Sequence, residues 1–368
     1  MTALPLVVLA AGGTGGHMFP AEALARELVG RGHGVALVTD ARGQVWGDRM
    51  AGVATYRIRA GRFGRGLLGN LKGIVDIARG TLEAGRLLRR LGPGTAVGFG
   101  GYPSVPTMLA AARLRVPTMI HDQNAVLGRA NRLLAGRVRA IATAFDTVQG
   151  LKPADRGKIV RTGNPVRPAI AALRDQPYAA PEPDGEIRLL VTGGSQGARI
   201  LSQVIPAALK ALPEALRRRL NVSQQVRPED LATVEAAYRD SGIIVDLKAF
   251  FDDIPARLGA AHLVIARAGG STVAELTVAG RPAVLVPLAS ALADEQTANA
   301  QILVERGGAW LLAEKDFASA ALAELLERVL GDSALLDRSA AAAHSLGEPA
   351  AASLLADLVA TLQRGVPS

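Results

Sequence analysis

The chain has no cysteine among its 368 residues. Disulfide bonds, thiolate metal sites and a cysteine nucleophile are therefore excluded, and the composition fits a reducing compartment. Long hydrophobic runs are lacking too, because the longest, at 4–11 and 283–293, fall short of the roughly 18 residues that a membrane span needs. No basic residue precedes the first run, which leads directly into a glycine loop and so favours a buried strand over a signal peptide.

Aromatic residues make up only 4% of the chain, and no nucleic-acid-binding motif is present, so a nucleic-acid partner is not expected. There is no Gly-Lys-Ser/Thr P-loop, and the glycine loop at 12–17 lacks the third glycine of the dinucleotide fingerprint. NTPase and dehydrogenase functions are therefore disfavoured. No Asp-x-Asp occurs, so a metal ion held by such a pair of carboxylates is not expected, and no cofactor is predicted.

Short apolar runs alternate with Ala/Leu/Arg-rich stretches of helical character. Because these runs are continuously apolar, we expect parallel sheets covered on both faces, with helices between the strands. The predicted strands are Leu6–Ala10, Val35–Thr39, Thr95–Gly98, Pro117–Ile120, Ile187–Thr192, Ile243–Leu247, Leu263–Ala266 and Ala283–Val286.

One motif occurs twice. A predicted strand runs into Gly-Gly-hydroxyl-x-Gly at 12–16 and again at 193–197, about half the chain length apart. This spacing predicts two Rossmann-like doubly wound domains facing each other across a cleft, each with an anion-binding glycine loop at a helix N-terminus. A proline-rich segment at 164–186 is the predicted linker. For a single loop, an ordinary tight turn would be an equally good interpretation.

Two further glycine loops, at 98–104 and 267–275, also follow strands. His17 comes directly after the first loop, where an imidazole is a candidate general base, although a capping or surface role would explain it as well. His121 begins His-Asp-Gln-Asn at a strand end. Glu275 lies one turn into a predicted helix and could accept hydrogen bonds from two ribose hydroxyls, or simply favour the helix N-terminus.

These motifs, with Thr-Gly-Asn-Pro-Val-Arg at 162–167, occur in the order seen in the MurG family of glycosyltransferases, which the chain resembles over nearly its whole length. The resemblance implies a GT-B fold with an N-terminal domain at 1–163, joined by a C-terminal helix at about 345–364, and a donor domain at 164–344. It implies inverting transfer of GlcNAc from UDP-GlcNAc to the MurNAc 4-hydroxyl of lipid I in peptidoglycan synthesis. The family commonly has glutamate where this chain has Asp122.

The resemblance also implies roles for individual residues. His17 is the general base candidate, and the loop Gly100, Gly101 and Tyr102 meets the acceptor diphosphate. The predicted UDP-GlcNAc contacts are Ser195, Gln196 and Arg167 at the diphosphate, Phe251 at uracil, Glu275 at ribose, and Gly270, Ser271, Thr272, Val273, Ala274, Gln296, Asn299, Thr14, Gly15, Gly16 and Asn124 around the sugar. A UDP-GlcNAc 2-epimerase and a non-catalytic nucleotide-sugar-binding membrane scaffold are the alternatives.

Residues 57–90 carry nine basic residues and two acidic ones, most of the net charge of +9. Apolar side chains lie between them, a pattern typical of helices that bind anionic membranes and also of core helices with a solvated basic face. The predicted membrane patch is Phe63, Arg65, Leu67, Leu68, Leu71, Lys72 and Val75. With a lipid-linked acceptor, this predicts a peripheral protein on the cytoplasmic face of the inner membrane, with cell-wall synthesis proteins as further partners.

Overall fold

The chain folds into two compact units, here described from a computed structural model. Residues 4–12, 15–40, 50, 52–61, 66–194, 197–289 and 294–365 are described, without the side chains of 66–72. Unit 1 comprises Met1–Arg167 and Ala350–Ser368, and unit 2 comprises Pro168–Pro349. The division after Arg167 lies four residues beyond the boundary predicted from the linker.

Unit 1 is built around a parallel sheet whose central strands are buried on both faces. In chain order its strands are β1 (Leu4–Ala10), β2 (His33–Thr39), β3 (Ala54–Arg57), β4 (Thr95–Gly98), β5 (Thr118–Asp122), β6 (Ala140–Thr143) and β7 (Ile159–Arg161). Their order across the sheet is β3-β2-β1-β4-β5-β6-β7. Two apolar clusters cover the faces, with Val7 and Leu9 in one and Val8 and Ala10 in the other. The helices of this unit's first segment are α1 (Gly15–Gly30), α2 (Gly66–Leu91), α3 (Ser104–Arg113) and α4 (Arg129–Leu134).

Unit 2 repeats the plan with the sheet order β10-β9-β8-β11-β12-β13, again parallel throughout the described pairs. Its strands are β8 (Ile187–Thr192), β9 (Leu220–Gln225), β10 (Ile244–Lys248), β11 (Leu263–Ala266), β12 (Ala283–Leu285) and β13 (Ala309–Leu311). Its helices are α5 (Pro168–Ala171), α6 (Arg199–Lys210), α7 (Glu214–Arg217), α8 (Leu231–Tyr238), α9 (Ile254–Ala260), α10 (Gly270–Ala279), α11 (Glu295–Glu305), α12 (Ser319–Leu330) and α13 (Ser333–Ser345).

The last helix, α14 (Ala351–Gln363), returns to unit 1 and packs on α1. The sequence predicted one helix over about 345–364, whereas the structure ends α13 at Ser345 and begins α14 at Ala351. The break coincides with Gly347 and Pro349, which interrupt helical hydrogen bonding. Among the helices in the described part of the chain, none is long and apolar enough to cross a membrane.

The strand predictions agree closely with the structure. Thr95–Gly98, Ile187–Thr192 and Leu263–Ala266 match to the residue, and every end of the other five predicted strands lies within two positions of the observed end. Five strands of the described structure have no counterpart among the predicted runs, namely β3, β6, β7, β9 and β13. Of these, β9 is buried at alternate residues only, so it gives no continuous apolar run.

Candidate functional site

In unit 1 the glycine loops after β1 and β4 pack against each other at the carboxyl end of the sheet. Gly101 has a φ of +71°, and a Cβ built there would lie 2.9 Å from the carbonyl oxygen of Gly12. A Cβ built on Gly12 would lie 2.7 Å from Pro103. Side chains are therefore excluded at both positions, which lets the two loops form one surface.

His17, the predicted base, lies on this surface in the first turn of α1. Its ring is 3.3 Å from where a Cβ would stand on Gly100 or on Gly101. The structure thus brings His17 together with two of the three residues predicted to meet the acceptor diphosphate, and the third, Tyr102, follows directly in the chain. Gly15 is buried and Gly16 exposed at the start of the same helix, while Thr14 lies outside the described residues.

A chain of buried hydrogen bonds runs behind His17. Its Nδ1 lies 3.2 Å from Oε1 of Gln123, whose Nε2 donates to the carbonyl oxygen of Phe99 at 3.1 Å. The same Nε2 lies 3.1 Å from Nδ1 of His121, and Nε2 of His121 lies 3.0 Å from the carbonyl oxygen of Gly163. Burial lowers the pKa of His121 to about 4, so its imidazole is neutral at neutral pH.

Asp122, where the family commonly has glutamate, is buried beside this chain. One carboxylate oxygen accepts from the backbone N–H of Asn124 at 3.1 Å, and the other accepts from the backbone N–H of Gly128 and from Nδ2 of Asn131. Burial raises the pKa of Asp122, and these hydrogen bonds oppose the shift. The carboxylate therefore orders the turn that carries Asn124, a predicted sugar contact.

Sequence reasoning did not single out Gln123 or Asn131 as site residues. Gln123 lies inside the quoted His-Asp-Gln-Asn motif, but only the fold shows its side chain between two histidines. Asn131 is nine positions from Asp122, and no motif in the chain links them before β5 and α4 pack together. Arg167, predicted at the diphosphate, ends unit 1 with its guanidinium 5.6 Å from the ring centre of Phe19 in α1.

In unit 2 the loop after β8 turns tightly at the predicted diphosphate site. Gly194 and Gly197 have φ values of +76° and +68°, and the backbone N–H of Gly194 donates to the Thr192 hydroxyl at 3.3 Å. That hydroxyl donates in turn to Oε1 of Gln225 on β9. Ser195 and Gln196, the two predicted contacts in this loop, lie outside the described residues.

The loop after β11 leads into α10, whose first residues Gly270, Ser271, Thr272, Val273 and Ala274 are predicted sugar contacts. The Ser271 hydroxyl is buried and has no hydrogen-bond partner among the described residues. Glu275 follows in the second turn and is half-buried. A helix N-terminus beside an unpaired buried hydroxyl suits an anionic or sugar ligand.

Two side chains hold this loop. Nη1 of Arg267 donates to the carbonyl oxygens of Val286 and Pro287 and pairs with Glu314 at 2.7 Å. Asn299 is fully buried, and its Nδ2 donates to the carbonyl oxygen of Ala268 at 3.0 Å. The observed role of Asn299 is therefore to position the loop, and its direct sugar contact stays a prediction.

The other predicted donor contacts lie on separate elements of unit 2. Oε1 of Gln296 accepts from the backbone N–H of Leu288 at 3.0 Å. The Phe251 ring is buried, with the Arg257 guanidinium 4.1 Å from its centre. A buried ring leaves the backbone as the part of Phe251 that could meet a base.

The predicted membrane patch lies only partly within the described structure. Phe63 and Arg65 lie outside the described residues, as do the side chains of Leu67, Leu68, Leu71 and Lys72. Val75 is exposed on α2. The same helix exposes two large apolar side chains that were not in the predicted patch, Ile74 at 55% and Leu82 at 63%.

Comparison with known proteins relates both units to one family. Residues 7–143 match the glycosyltransferase family 28 N-terminal domain, and residues 188–355 match the C-terminal domain of that family. Among solved structures, *Acinetobacter baumannii* MurG has a TM-score of 0.81 at 29% identity, covering 97% of this chain and all of that one. *Staphylococcus aureus* MnaA, solved with UDP, has a TM-score of 0.68 at 11% identity over 99% of each chain and shares the fold alone. The predicted fold class, a two-domain α/β GT-B fold, is confirmed.

Curated relatives are similar over nearly the full length. A protein from *Rhodospirillum centenum* is 55% identical over 96% of this chain and 93% of its own length. One from *Paramagnetospirillum magneticum* is 54% identical over 98% of each chain. Both are named UDP-N-acetylglucosamine--N-acetylmuramyl-(pentapeptide) pyrophosphoryl-undecaprenol N-acetylglucosamine transferase. The chain belongs to this family of N-acetylglucosamine transferases, within glycosyltransferase family 28.

Proposed function

We propose that the chain is an inverting N-acetylglucosaminyltransferase that moves GlcNAc from UDP-GlcNAc to the MurNAc 4-hydroxyl of undecaprenyl-diphospho-MurNAc-pentapeptide, converting lipid I to lipid II. The observation that carries this proposal is the 55% identity, over 96% of the chain, to a relative named for that transfer. The product is a peptidoglycan precursor. The activity would accordingly serve cell-wall biogenesis and, through it, cell shape, cell division and the cell cycle.

His17 is the proposed general base. The 4-hydroxyl oxygen of the acceptor attacks the anomeric carbon of GlcNAc while the bond to the UDP oxygen breaks, and the imidazole takes the hydroxyl proton. A single displacement of this kind inverts the anomeric centre. The position of His17 against Gly100 and Gly101 supports the assignment, because a loop without side chains there lets the acceptor diphosphate approach.

The donor is proposed to bind unit 2. Backbone N–H groups at the start of α10 and the Ser271 hydroxyl, which has no partner among the described residues, favour UDP-GlcNAc there, and Glu275 one turn later would accept from the ribose. Negative charge on departing UDP would be offset by such N–H groups and by Arg167. We propose that no divalent ion or other cofactor is required, since the chain has no Asp-x-Asp.

The assay uses the whole purified protein with UDP-GlcNAc and a soluble lipid I analogue, with and without EDTA. We expect stoichiometric UDP and a lipid-linked disaccharide, at equal rates under both conditions. A matched reaction without acceptor should give no UDP-ManNAc, and its appearance would instead favour the 2-epimerase. UDP-GlcNAc binding with no product in either reaction would favour the scaffold.

We also propose that the protein binds the cytoplasmic face of the inner membrane through α2, near its lipid-linked acceptor. Ile74, Ala78 and Leu82, spaced four apart, form an exposed apolar stripe that lines one side of a groove of about 790 Å³. Arg113 and Arg137 line that groove, and Arg79 and Arg86 are exposed on the same helix. Apolar and cationic side chains side by side suit an anionic lipid surface. Other cell-wall synthesis proteins are the proposed partners there.

A further inference from the structure

The hydrogen-bond chain behind His17 has a direction that can be read from its two ends. A carbonyl oxygen can only accept, so the contact between Gly163 O and His121 Nε2 requires a proton on that nitrogen. Burial keeps His121 neutral by lowering its pKa to about 4, which leaves Nδ1 as an acceptor. One side of His121 is thus fixed as a donor and the other as an acceptor.

The amide of Gln123 is oriented by the same reasoning. Its Nε2 lies 3.1 Å from the carbonyl oxygen of Phe99 and 3.1 Å from Nδ1 of His121, and both are acceptors. Exchanging the amide nitrogen and oxygen would place an oxygen against two acceptors. The amide oxygen of Gln123 therefore faces His17, at 3.2 Å from its Nδ1.

An amide oxygen only accepts, so Nδ1 of His17 must be the donor. In a neutral imidazole with its proton on Nδ1, the lone pair is on Nε2. Among the described residues, Nε2 of His17 has no hydrogen-bond partner. Within the described part of the structure, that nitrogen can therefore accept a proton.

We propose that Gln123, oriented by Phe99 and His121, is a positioning residue that holds His17 in the tautomer with its proton on Nδ1 and its lone pair on Nε2. The inference rests on the proposed function, in which His17 takes the acceptor proton. Without Gln123, the imidazole loses both its orientation and the contact that selects this tautomer.

The test is the tautomer itself, measured by two-bond ¹⁵N–¹H NMR correlations on substrate-free, ¹⁵N-histidine-labelled full-length protein. The chain has five histidines, so His17→Ala identifies the signal. We expect the Nδ1–H form in the wild type and a substantial Nε2–H population in Gln123→Met, which has a similar length but no amide.

Turnover provides the second measurement. In Gln123→Met we expect kcat to fall about 10–100-fold, by analogy with the loss when a partner that orients a metal-ligating histidine is removed. KM for UDP-GlcNAc should change little. Gln224→Met is the matched control, since Gln224 is a fully buried glutamine in unit 2 that accepts from Tyr238, and it should leave the His17 signal unchanged.

An Nε2–H form of His17 in the wild type would overturn the proposal, and that measurement needs no variant to fold. An unchanged tautomer and kcat in folded Gln123→Met would also overturn it. Failure of the proposed function is distinguishable, because the wild type would then make no lipid-linked disaccharide whatever tautomer His17 adopts.

Discussion

At the scale of single residues, His17 has the position that a general base needs. It lies at the start of α1 against two glycines, with one ring nitrogen bound and the other without a partner among the described residues. His121, only 5.7 Å from Phe99 between ring centres, is fully buried and serves a different purpose. We therefore expect different effects when each of the two histidines is replaced.

His17→Ala should lower kcat by about 10²–10⁴-fold, because positioned general bases contribute on that order. UDP affinity should stay near that of the wild type, since the loop backbone remains. Steady-state turnover with the lipid I analogue and calorimetry with UDP measure the two effects. If turnover falls by less than about tenfold, His17 is not the general base, and a capping or surface role explains its position instead.

His121 should make stability depend on pH. Its pKa is lowered from 6.5 to about 4, so below pH 6.5 the unfolded chain binds a proton that the folded chain does not. Stability from the neutral ring is present above pH 6.5 and is lost as the pH falls toward 4. Between pH 7 and pH 5, the free energy of unfolding should fall by about 2 kcal/mol more in the wild type than in His121→Asn.

Urea denaturation at the two pH values measures this difference. Asp122 titrates in the opposite sense, because its pKa is raised, but it is present in both proteins and its effect cancels in the comparison. Equal pH dependence in the wild type and His121→Asn would show that His121 does not resist protonation in the folded state.

At the scale of elements, α2 has two apolar faces rather than one. One face of α2 is buried and includes Gly73, Gly80, Ala84 and Leu88. A Cβ on Gly80 would lie 2.1 Å from the Arg59 carbonyl oxygen, so this face packs closely on the rest of unit 1. The stripe of Ile74, Ala78 and Leu82 is exposed. One helix therefore supplies both a core face and an exposed apolar face. The core-helix interpretation of residues 57–90 holds for the buried face, and membrane binding by the exposed face stays a prediction.

Replacing Ile74 and Leu82 with Ser should weaken binding to anionic vesicles by roughly 5–30-fold per side chain at every salt concentration, because partial burial contributes about 1–2 kcal/mol each. Arg79→Gln and Arg86→Gln should weaken it mainly at low salt. Co-sedimentation at two salt concentrations measures both effects. Ile244→Ser, 62% exposed in unit 2, is the matched control and should bind as the wild type does. Equal losses from all variants would contradict a membrane role for α2.

At the scale of the whole molecule, α14 ties the end of the chain to unit 1. Leu355 and Val359 enter the apolar cluster that contains Leu24 and Leu28 of α1. Arg31, the residue after α1, pairs with Asp357 at 2.5 Å and donates to the Ser353 hydroxyl at 2.6 Å. The pKa of Arg31 is raised, mainly by its hydrogen bond to Asp357. The apolar contacts should stabilise this docking more than the exposed ion pair does.

Leu355→Ala should therefore lower the free energy of unfolding by about 2–5 kcal/mol, the range for truncating a buried leucine. Leu354→Ala is the matched control on the same helix, since Leu354 is 38% exposed and Leu355 is fully buried. Its loss should stay under about 1 kcal/mol. Similar losses from the two variants, measured by urea denaturation, would mean that α14 is not docked through Leu355.

The sequence by itself determined the fold class and the candidate site motifs. Continuous apolar runs predicted parallel strands, and a repeated strand-glycine-helix pattern predicted two Rossmann-like units, because these signals are local and periodic. Gly12, His17 and the start of α10 could be found for the same reason. Boundaries were less accurate, since helix ends depend on packing as well as on residues such as Gly347 and Pro349.

Only the tertiary structure decided which side chains act on one another. The Gln123 side chain contacts both His17 and His121, and the Asn131 side chain donates to the Asp122 carboxylate. The Asn299 side chain donates to the carbonyl oxygen of Ala268. Each of these contacts forms only when separate elements pack together. The fold also decided that Ile74 and Leu82 stay exposed while Leu88 is buried on the same helix. Local pattern shows that a helix has apolar positions, but which of them are covered depends on what the rest of the chain places against it.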